Sequence, residues 1–335
     1  MPATYILVER ELSDGKVRLG LMGMVDLEQY DYNPGASTYI RATEGTVLDR
    51  LPPRVKVRKS ATIELPHIML LIDDPEKTVI EPLAEIKDRL YKEYDFELMK
   101  NGGHIKGYSL PKELNDKVAQ AICDLADIDL FKKRYNVDSE DVLLFASGDG
   151  NHSLATAKQC WELAKKNMTA EEIETSPKRY ALVELVNLHD TSLEFEAIHR
   201  VVFGVDGEKM LDALMQYYPS AHEGHGKGHS FEFVIGDRRG LITIEGMTDG
   251  LPVGALQDFL DVYTKEHGGK IDYIHGEDVT CQLGSMEGNI GFIVPSMGKN
   301  ELFRAVITRG VLPRKTFSMG HANDKRYYLE ARSLI

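Results

Sequence analysis

The stretch Ser147-Gly148-Asp149-Gly150-Asn151-His152-Ser153 stands between an apolar run, Val142 to Ala146, and a helical stripe of Leu154, Ala157, Trp161 and Ala164. A helix start presents N–H groups without intrahelical partners and a positive partial charge. Glycine lets a ligand approach the backbone closely there, so the pattern points to an anion site, above all for phosphate. Gly148, Gly150, Asn151 and Ser153 would form the cradle, and Asp149 would hold Mg²⁺ or a substrate hydroxyl or amine. The competing reading is a plain turn whose helix is capped by Asn151 or Ser153. It is not a Walker loop, because no Gly-Lys-Ser/Thr ending follows.

Phosphate calls for cations. Arg41, Arg50, Arg54, Lys56, Arg58 and Lys59 crowd one polar segment. Arg54, Lys56 and Arg58 alternate at strand spacing, which predicts one shared face. Arginine binds phosphate or carboxylate through its planar fork. Arg54 and Arg58 are read as phosphate ligands, Arg41 and Thr43 as substrate ligands, and Glu44 as a base held among cations. The alternative is a strand edge protected by charge. His199 and Arg200 close an apolar strand, where α/β proteins place chemistry. Lys315 stands in a further cluster with Arg314, Thr316, Ser318, His321 and Arg326, and His104 and Lys106 lie between glycines. His222, His225 and His229, at spacings of three and four, have zinc-like spacing. In a glycine-rich loop they read instead as exposed and metal-free. His67 and His267 read as structural.

These patches sit in an acidic chain. The 335 residues carry 40 Lys and Arg against 53 Asp and Glu, a net charge of −13. That opposes non-specific nucleic-acid binding and an anionic membrane surface. Cys123, Cys160 and Cys281 offer no disulfide framework or zinc spacing, and Cys123 and Cys160, in helical patterns, read as buried thiols. No apolar run is long enough to span a bilayer and no signal-peptide layout opens the chain, which gives a cytoplasmic expectation.

The elements that must position these residues interleave irregularly, giving an α+β (mixed α/β) expectation, with helices packed on mixed sheets. Asp14-Gly15 between apolar runs predicts a hairpin, and 231–246 predicts another. Ile63 to Asp73 reads as a buried strand. Helical periods cover 82–94, 114–135, 207–218, 253–266 and 299–309. No Pro- or Ser-rich linker divides the chain, so 1–335 is expected to be a single compact domain, β-rich over 1–80 and α/β over 81–335.

"FASGDGNHSLATAK", "LVNLHDTSLEFEAIHRVV", "KIDYIHGEDV", "GFIVPSM" and "VLPRKTFSMGHANDKRYYLEARSL" follow one another as in the domain of unknown function 1015 family, and "IRATEGTVLDRLPPRVKVR" resembles its N-terminal half. The resemblance covers nearly the whole chain. The Asp-Gly-x-His turn is similar to that of the ParB/sulfiredoxin-like group, which includes an ADP-dependent free-serine kinase. The resemblance implies a ParB/sulfiredoxin-like core, elaborated, with nucleotide phosphate on Gly150, Asn151, His152 and Ser153. It makes Glu44, Asp149 and His152 the catalytic candidates. Ser153 stands where that group has Arg, so the missing charge must come from Arg54, Arg58 or Lys315, with His199 and Arg200 also read as phosphate or nucleotide ligands, or the phosphate reading fails. Family members carry a segment of several dozen residues before the first strand, and that segment is expected to be missing here.

The expectation is a phosphotransferase-like enzyme acting on a small hydroxylated metabolite such as free serine, or on phosphoserine in reverse. Its cofactors would be Mg²⁺ and ADP or ATP. The alternatives are a nucleotide-binding protein without activity and, more distantly, a metal-dependent hydrolase on the histidine loop. Expected partners are the small-molecule substrate and the nucleotide, with a homodimer left open and neither nucleic acid nor membrane.

Overall fold

Asp14-Gly15 reverses the chain as expected, with Gly15 at φ 81°. The strands Ile6–Glu11 and Val17–Asp26 pair antiparallel across it. They lie within a mixed sheet whose order is Tyr30–Asp31, Ile40–Ala42, Phe145–Asp149, Met69–Ile72, Tyr180–Asn187, Val17–Asp26, Ile6–Glu11, His104–Ser109 and Tyr91–Glu97. The computed structural model describes residues 4–65, 68–248, 250–320 and 327–335. The mixed α/β class is as expected.

The chain divides into two compact units where one was expected. The first comprises 1–194, 302–311 and 319–335, and the second 195–301 and 312–318. The chain passes between them repeatedly through short segments, so no linker composition marks the boundary.

In the first unit, the helix Asn151–Ala164 turns Leu154, Ala157 and Trp161 toward Leu27, Tyr30, Ile40, Leu70 and Leu185. Each apolar side chain buried completely in this way contributes about 1.5–3 kcal/mol. Trp161 has no solvent exposure, and its Nε1 donates to Glu28 Oε1 at 2.5 Å. In the second unit, the helices Gly207–Tyr217 and Pro252–His267 pack against the hairpin Gly228–Ile235 and Arg238–Glu245 and against Asn289–Ile293.

Four expected elements differ. The helical period over 82–94 yields the short helix Glu81–Glu85 and a single 3-10 turn, Lys87–Arg89, and Tyr91–Glu97 is an edge strand. The period over 114–135 is two helices, Lys112–Asp124 and Ile128–Tyr135, because Asp127 starts a second one by accepting from Leu130 N. The run 63–73 is two strands, Ile63–Glu64 and Met69–Ile72. His67, read as structural, lies outside the described residues.

The fourth difference bears on the site. Leu51–Lys59 is a helix, so Arg54, Lys56 and Arg58 do not line a strand face. Pro52 and Pro53 stand in its first turn, where a missing N–H costs no helical hydrogen bond. Arg54 and Arg58, four apart, share one helix face, and Lys56 points elsewhere. Cys123 is exposed and Cys160 half-buried, not buried as expected, and Cys281 is half-buried too.

Candidate active site at the Asp149–Ser153 turn

Ile40–Ala42 runs parallel to Phe145–Asp149, with Ala42 opposite Ser147. One residue further on, Thr43 Oγ1 donates to the carbonyl oxygen of Ser147 at 2.6 Å. At the other end of this loop, Val47 N–H donates to His152 Nε2 at 3.3 Å. Accepting there puts the proton of a neutral His152 ring on Nδ1. The loop 43–47, with half-buried Glu44 in it, is thus pinned at both ends to the turn 147–152.

Gly150 is the residue before the helix, at φ 79° and ψ 19°. Those angles belong to the left-handed region that glycine adopts without strain. Its carbonyl accepts from Ser153 N and Leu154 N at 2.8 and 2.9 Å. Asn151 and Ser153 lie inside the helix, so neither is its cap, and the cap position has no side chain to accept from the first turn. The plain capping alternative is therefore not how this helix begins.

Beside this helix start, Ser147 Oγ, Asn151 Oδ1 and Thr46 Oγ1 are buried without hydrogen-bond partners. Ser147 has no solvent exposure. An unpaired buried polar group costs roughly 1–3 kcal/mol, so native proteins keep few of them and seldom close together. Asn151 Nδ2 faces Ser147 O at 3.4 Å, which sets the amide orientation and leaves Oδ1 as an acceptor. The arrangement offers donors, in the hydroxyls and the helix start, alongside acceptors in Asn151, Asp149 and Glu44.

Asp149 sits at the strand end, where its Oδ1 accepts from Gly150 N at 2.7 Å. Among the described residues, no group of three His, Cys, Asp or Glu could hold a metal ion. Mg²⁺ keeps its waters and binds through one or two carboxylates plus phosphate oxygens. At Asp149 it would have to arrive with a phosphate ligand, and the protein builds no cage for it. Gly148 has a packing reason: a Cβ there would lie 2.6 Å from Met319 Cε and 3.0 Å from Leu71 Cγ.

The expected cations divide. Arg54 is exposed on the first turns of the helix that follows the pinned loop, and its Nη1 donates to Arg50 O at 3.3 Å. Arg58 is ion-paired with Glu64, which also receives Arg332. The contacts Val47–His152 and Val55–Cys160 set the two helices side by side, running the same way. Arg58 therefore lies about 12 Å or more along the helix from the turn. Arg41 is also removed from ligand duty. It is buried, donates from Nε to Thr38 O at 2.8 Å and from Nη2 to Asp141 O at 2.5 Å, and burial lowers its proton affinity.

His199, Arg200 and Lys315 belong to the second unit. His199 and Arg200 are buried in the middle of Phe195–Phe203, not at its end. Arg200 donates to Gln257, Ile198 O and Arg314 O and stacks 5.2 Å from the Tyr273 ring, so its charge is taken up inside that unit. Lys315 is exposed in a turn at φ 58°. His321 and Arg326 lie outside the described residues. The expected histidine loop is partly strand, Ala221–Glu223 and Gly228–Ile235, and His229 is buried rather than exposed.

Sequence reasoning named neither Thr46, Val47 nor Ser147 as site residues. Ser147, a hydroxyl ending an apolar strand, was visible in the opening stretch. Val47 contributes only its amide, which no side chain advertises. A second polar cluster joins His189 Nε2 to Asp73 Oδ1 at 2.6 Å, with Tyr135 donating to the same carboxylate. The space beside it, about 10 Å³, holds one water at most.

A mixed α/β protein with a pinned loop over a glycine-started helix is the class that this fold and geometry define. The chain belongs to the family described as "Protein of unknown function (DUF1015)", whose model matches residues 2–263. No curated protein matches it. Several solved structures are similar over most of its length. A free serine kinase mutant in complex with AMP is 13% identical at a TM-score of 0.46, covering 89% of this chain and 87% of that one. A conserved hypothetical protein from Pyrococcus furiosus is 12% identical at 0.45, covering 93% and 94%. SbnI with a C-terminal truncation, from Staphylococcus aureus, is 10% identical at 0.47, covering 90% and 83%.

Proposed function

We propose that residues 43–47 and 147–153 bind a phosphate-bearing ligand, and that the chain is a phosphotransferase-like enzyme acting on a small hydroxylated metabolite. The observation that carries this reading is the group of buried, unpartnered Ser147 Oγ, Asn151 Oδ1 and Thr46 Oγ1 beside a helix start whose cap is a glycine. Amides and hydroxyls there would donate to phosphate oxygens, and Asn151 Oδ1 would accept from a substrate hydroxyl or amine. Glu44 would take the proton of the attacking hydroxyl, because phosphoryl transfer needs positioning, charge neutralisation and a base. His152 would hold the Glu44 loop in place through Val47. Arg54 would supply positive charge. ADP or ATP as donor and serine as acceptor are the specific form of the proposal, as the Asp-Gly-x-His turn implies, and phosphoserine dephosphorylation would use the same groups.

A second reading, nucleotide binding without catalysis, is favoured by one observation. Ser153 replaces the expected arginine, and Arg58, Arg41 and Arg200 are engaged elsewhere. Calorimetric titration with ADP, AMP and inorganic phosphate tests the site itself. A ligand at 100 times its dissociation constant adds about 2.7 kcal/mol of stability. Release of AMP or ADP in the presence of serine then separates enzyme from binder. Absence of nucleotide and phosphate binding at millimolar concentration overturns both readings.

A further inference from the structure

The helices Leu51–Lys59 and Asn151–Ala164 end beside a groove of about 650 Å³, well removed from the turn. Its floor is apolar, formed by Ala157, Cys160, Leu163, Met168 and Leu334. Leu163 remains 41% exposed. The rim carries Arg58, Lys59, Lys166 and Lys178. Arg58 is paired with Glu64, but Lys59, Lys166 and Lys178 have no ion-pair or hydrogen-bond partner for their ammonium groups among the described residues. Glu172, the carboxylate that also lines the groove, accepts from Thr169 N at 2.7 Å as part of a helix cap.

Helix C-termini favour lysine by about 0.3–1 kcal/mol, which accounts for Lys59 and Lys166. It does not account for Lys178, which stands in the separate turn Pro177–Arg179, nor for the apolar floor left open between the three. Unneutralised positive charge around apolar surface is unusual in a chain of net charge −13. The volume falls within the roughly 300–1,000 Å³ typical of small-molecule sites.

We infer that this groove binds a monomeric amphiphilic anion, its carboxylate or phosphate head among Lys59, Lys166 and Lys178 and its apolar body along Cys160 and Leu163. The overall negative charge disfavours the surface of an anionic bilayer, so the occupant is a single molecule. This inference does not depend on the proposed phosphotransferase reaction.

Cys160 is a built-in reporter, and Cys123 and Cys281 serve as internal references. Decanoate, below its micellar concentration, should slow alkylation of Cys160 by iodoacetamide at least fivefold, read by peptide mass spectrometry, with Cys123 and Cys281 unchanged. Decylamine and acetate should not protect. Lys59→Glu with Lys178→Glu should abolish protection while leaving the melting temperature within a degree or two. If that pair fails to fold, Leu163→Trp, at an exposed position, should fill the groove, so that decanoate gives Cys160 no further protection; undiminished protection by decanoate in that variant would overturn the inference. Protection by decylamine, protection surviving the charge reversal, equal slowing of all three cysteines, protection by anionic lipid vesicles, or no effect of decanoate would each overturn the inference.

Discussion

Thr43 Oγ1 lies 2.6 Å from the carbonyl oxygen of Ser147, and neither residue reaches solvent. This bond joins segments 104 residues apart in sequence. It holds the loop that carries Glu44 beside the glycine-rich turn, so the candidate base and the candidate phosphate cradle stand on adjoining segments.

Ser147→Ala separates ligand binding from folding. Removing an unpartnered buried hydroxyl should leave the ligand-free protein as stable as before, or more stable by up to about 1 kcal/mol, because no hydrogen bond is lost. The stabilisation by ADP, read as a thermal shift, should shrink. A large loss of ligand-free stability would show that the hydroxyl has a structural partner, and an unchanged ADP shift would remove Ser147 from the site.

Glu44→Gln keeps size and hydrogen bonding but removes the base. Nucleotide affinity should persist, while phosphorylation of the hydroxyl substrate falls by about 10²–10⁴-fold, the usual span for loss of a general base. A rate within twofold of wild type would take Glu44 out of the mechanism.

Gly150→Ala and Gly148→Ala should both destabilise, for different reasons. At Gly150 an alanine must hold φ near 79°, a strain of about 1–2 kcal/mol. At Gly148 the new methyl meets Leu71 and Met319, an overpacking of about 1–3 kcal/mol. Urea unfolding measures both. Wild-type stability for either variant would contradict the geometry described at that residue.

His199 makes acid destabilise the second unit. Burial is the main cause that holds its proton affinity below that of a free imidazole; Glu277 opposes it, and Arg200 and neighbouring His275 add to it. Below the free value of about 6.5, the unfolded chain binds a proton that the folded chain refuses. The stabilisation is therefore complete above that pH and is lost as pH falls through the window beneath it. Between pH 7.5 and 5.5, wild type should lose more unfolding free energy than His199→Asn, whose amide oxygen can still accept from Val294 N–H. Equal losses would show that His199 does not titrate differently in the two states.

Much of the site was legible because its parts are local. The apolar strand, the left-handed glycine and the helix start at residues 145–164 are written in consecutive residues. The Asp14-Gly15 hairpin and the hairpin at 228–245 were equally plain, since each is a turn signal between apolar runs. The strand reading of Arg54, Lys56 and Arg58 failed because alternation of charge with valine over five residues fits an exposed helix as well as a strand edge. The prolines at 52 and 53 were the better guide, because they suit a first helical turn.

By itself, the sequence determined the strand–turn–helix of the candidate cradle, the acidic background and the mixed α/β class, all of which rest on short-range propensity and composition. Tertiary structure decided which cations are engaged away from the turn, how the chain divides into two units, and that the segment leading to Glu44 runs beside the strand leading to Asp149, through the parallel pairing of Ile40–Ala42 with Phe145–Asp149. Parallel strands have no connecting turn to announce them. Their partnership is chosen by which apolar faces can be buried together, and that choice involves the whole core at once.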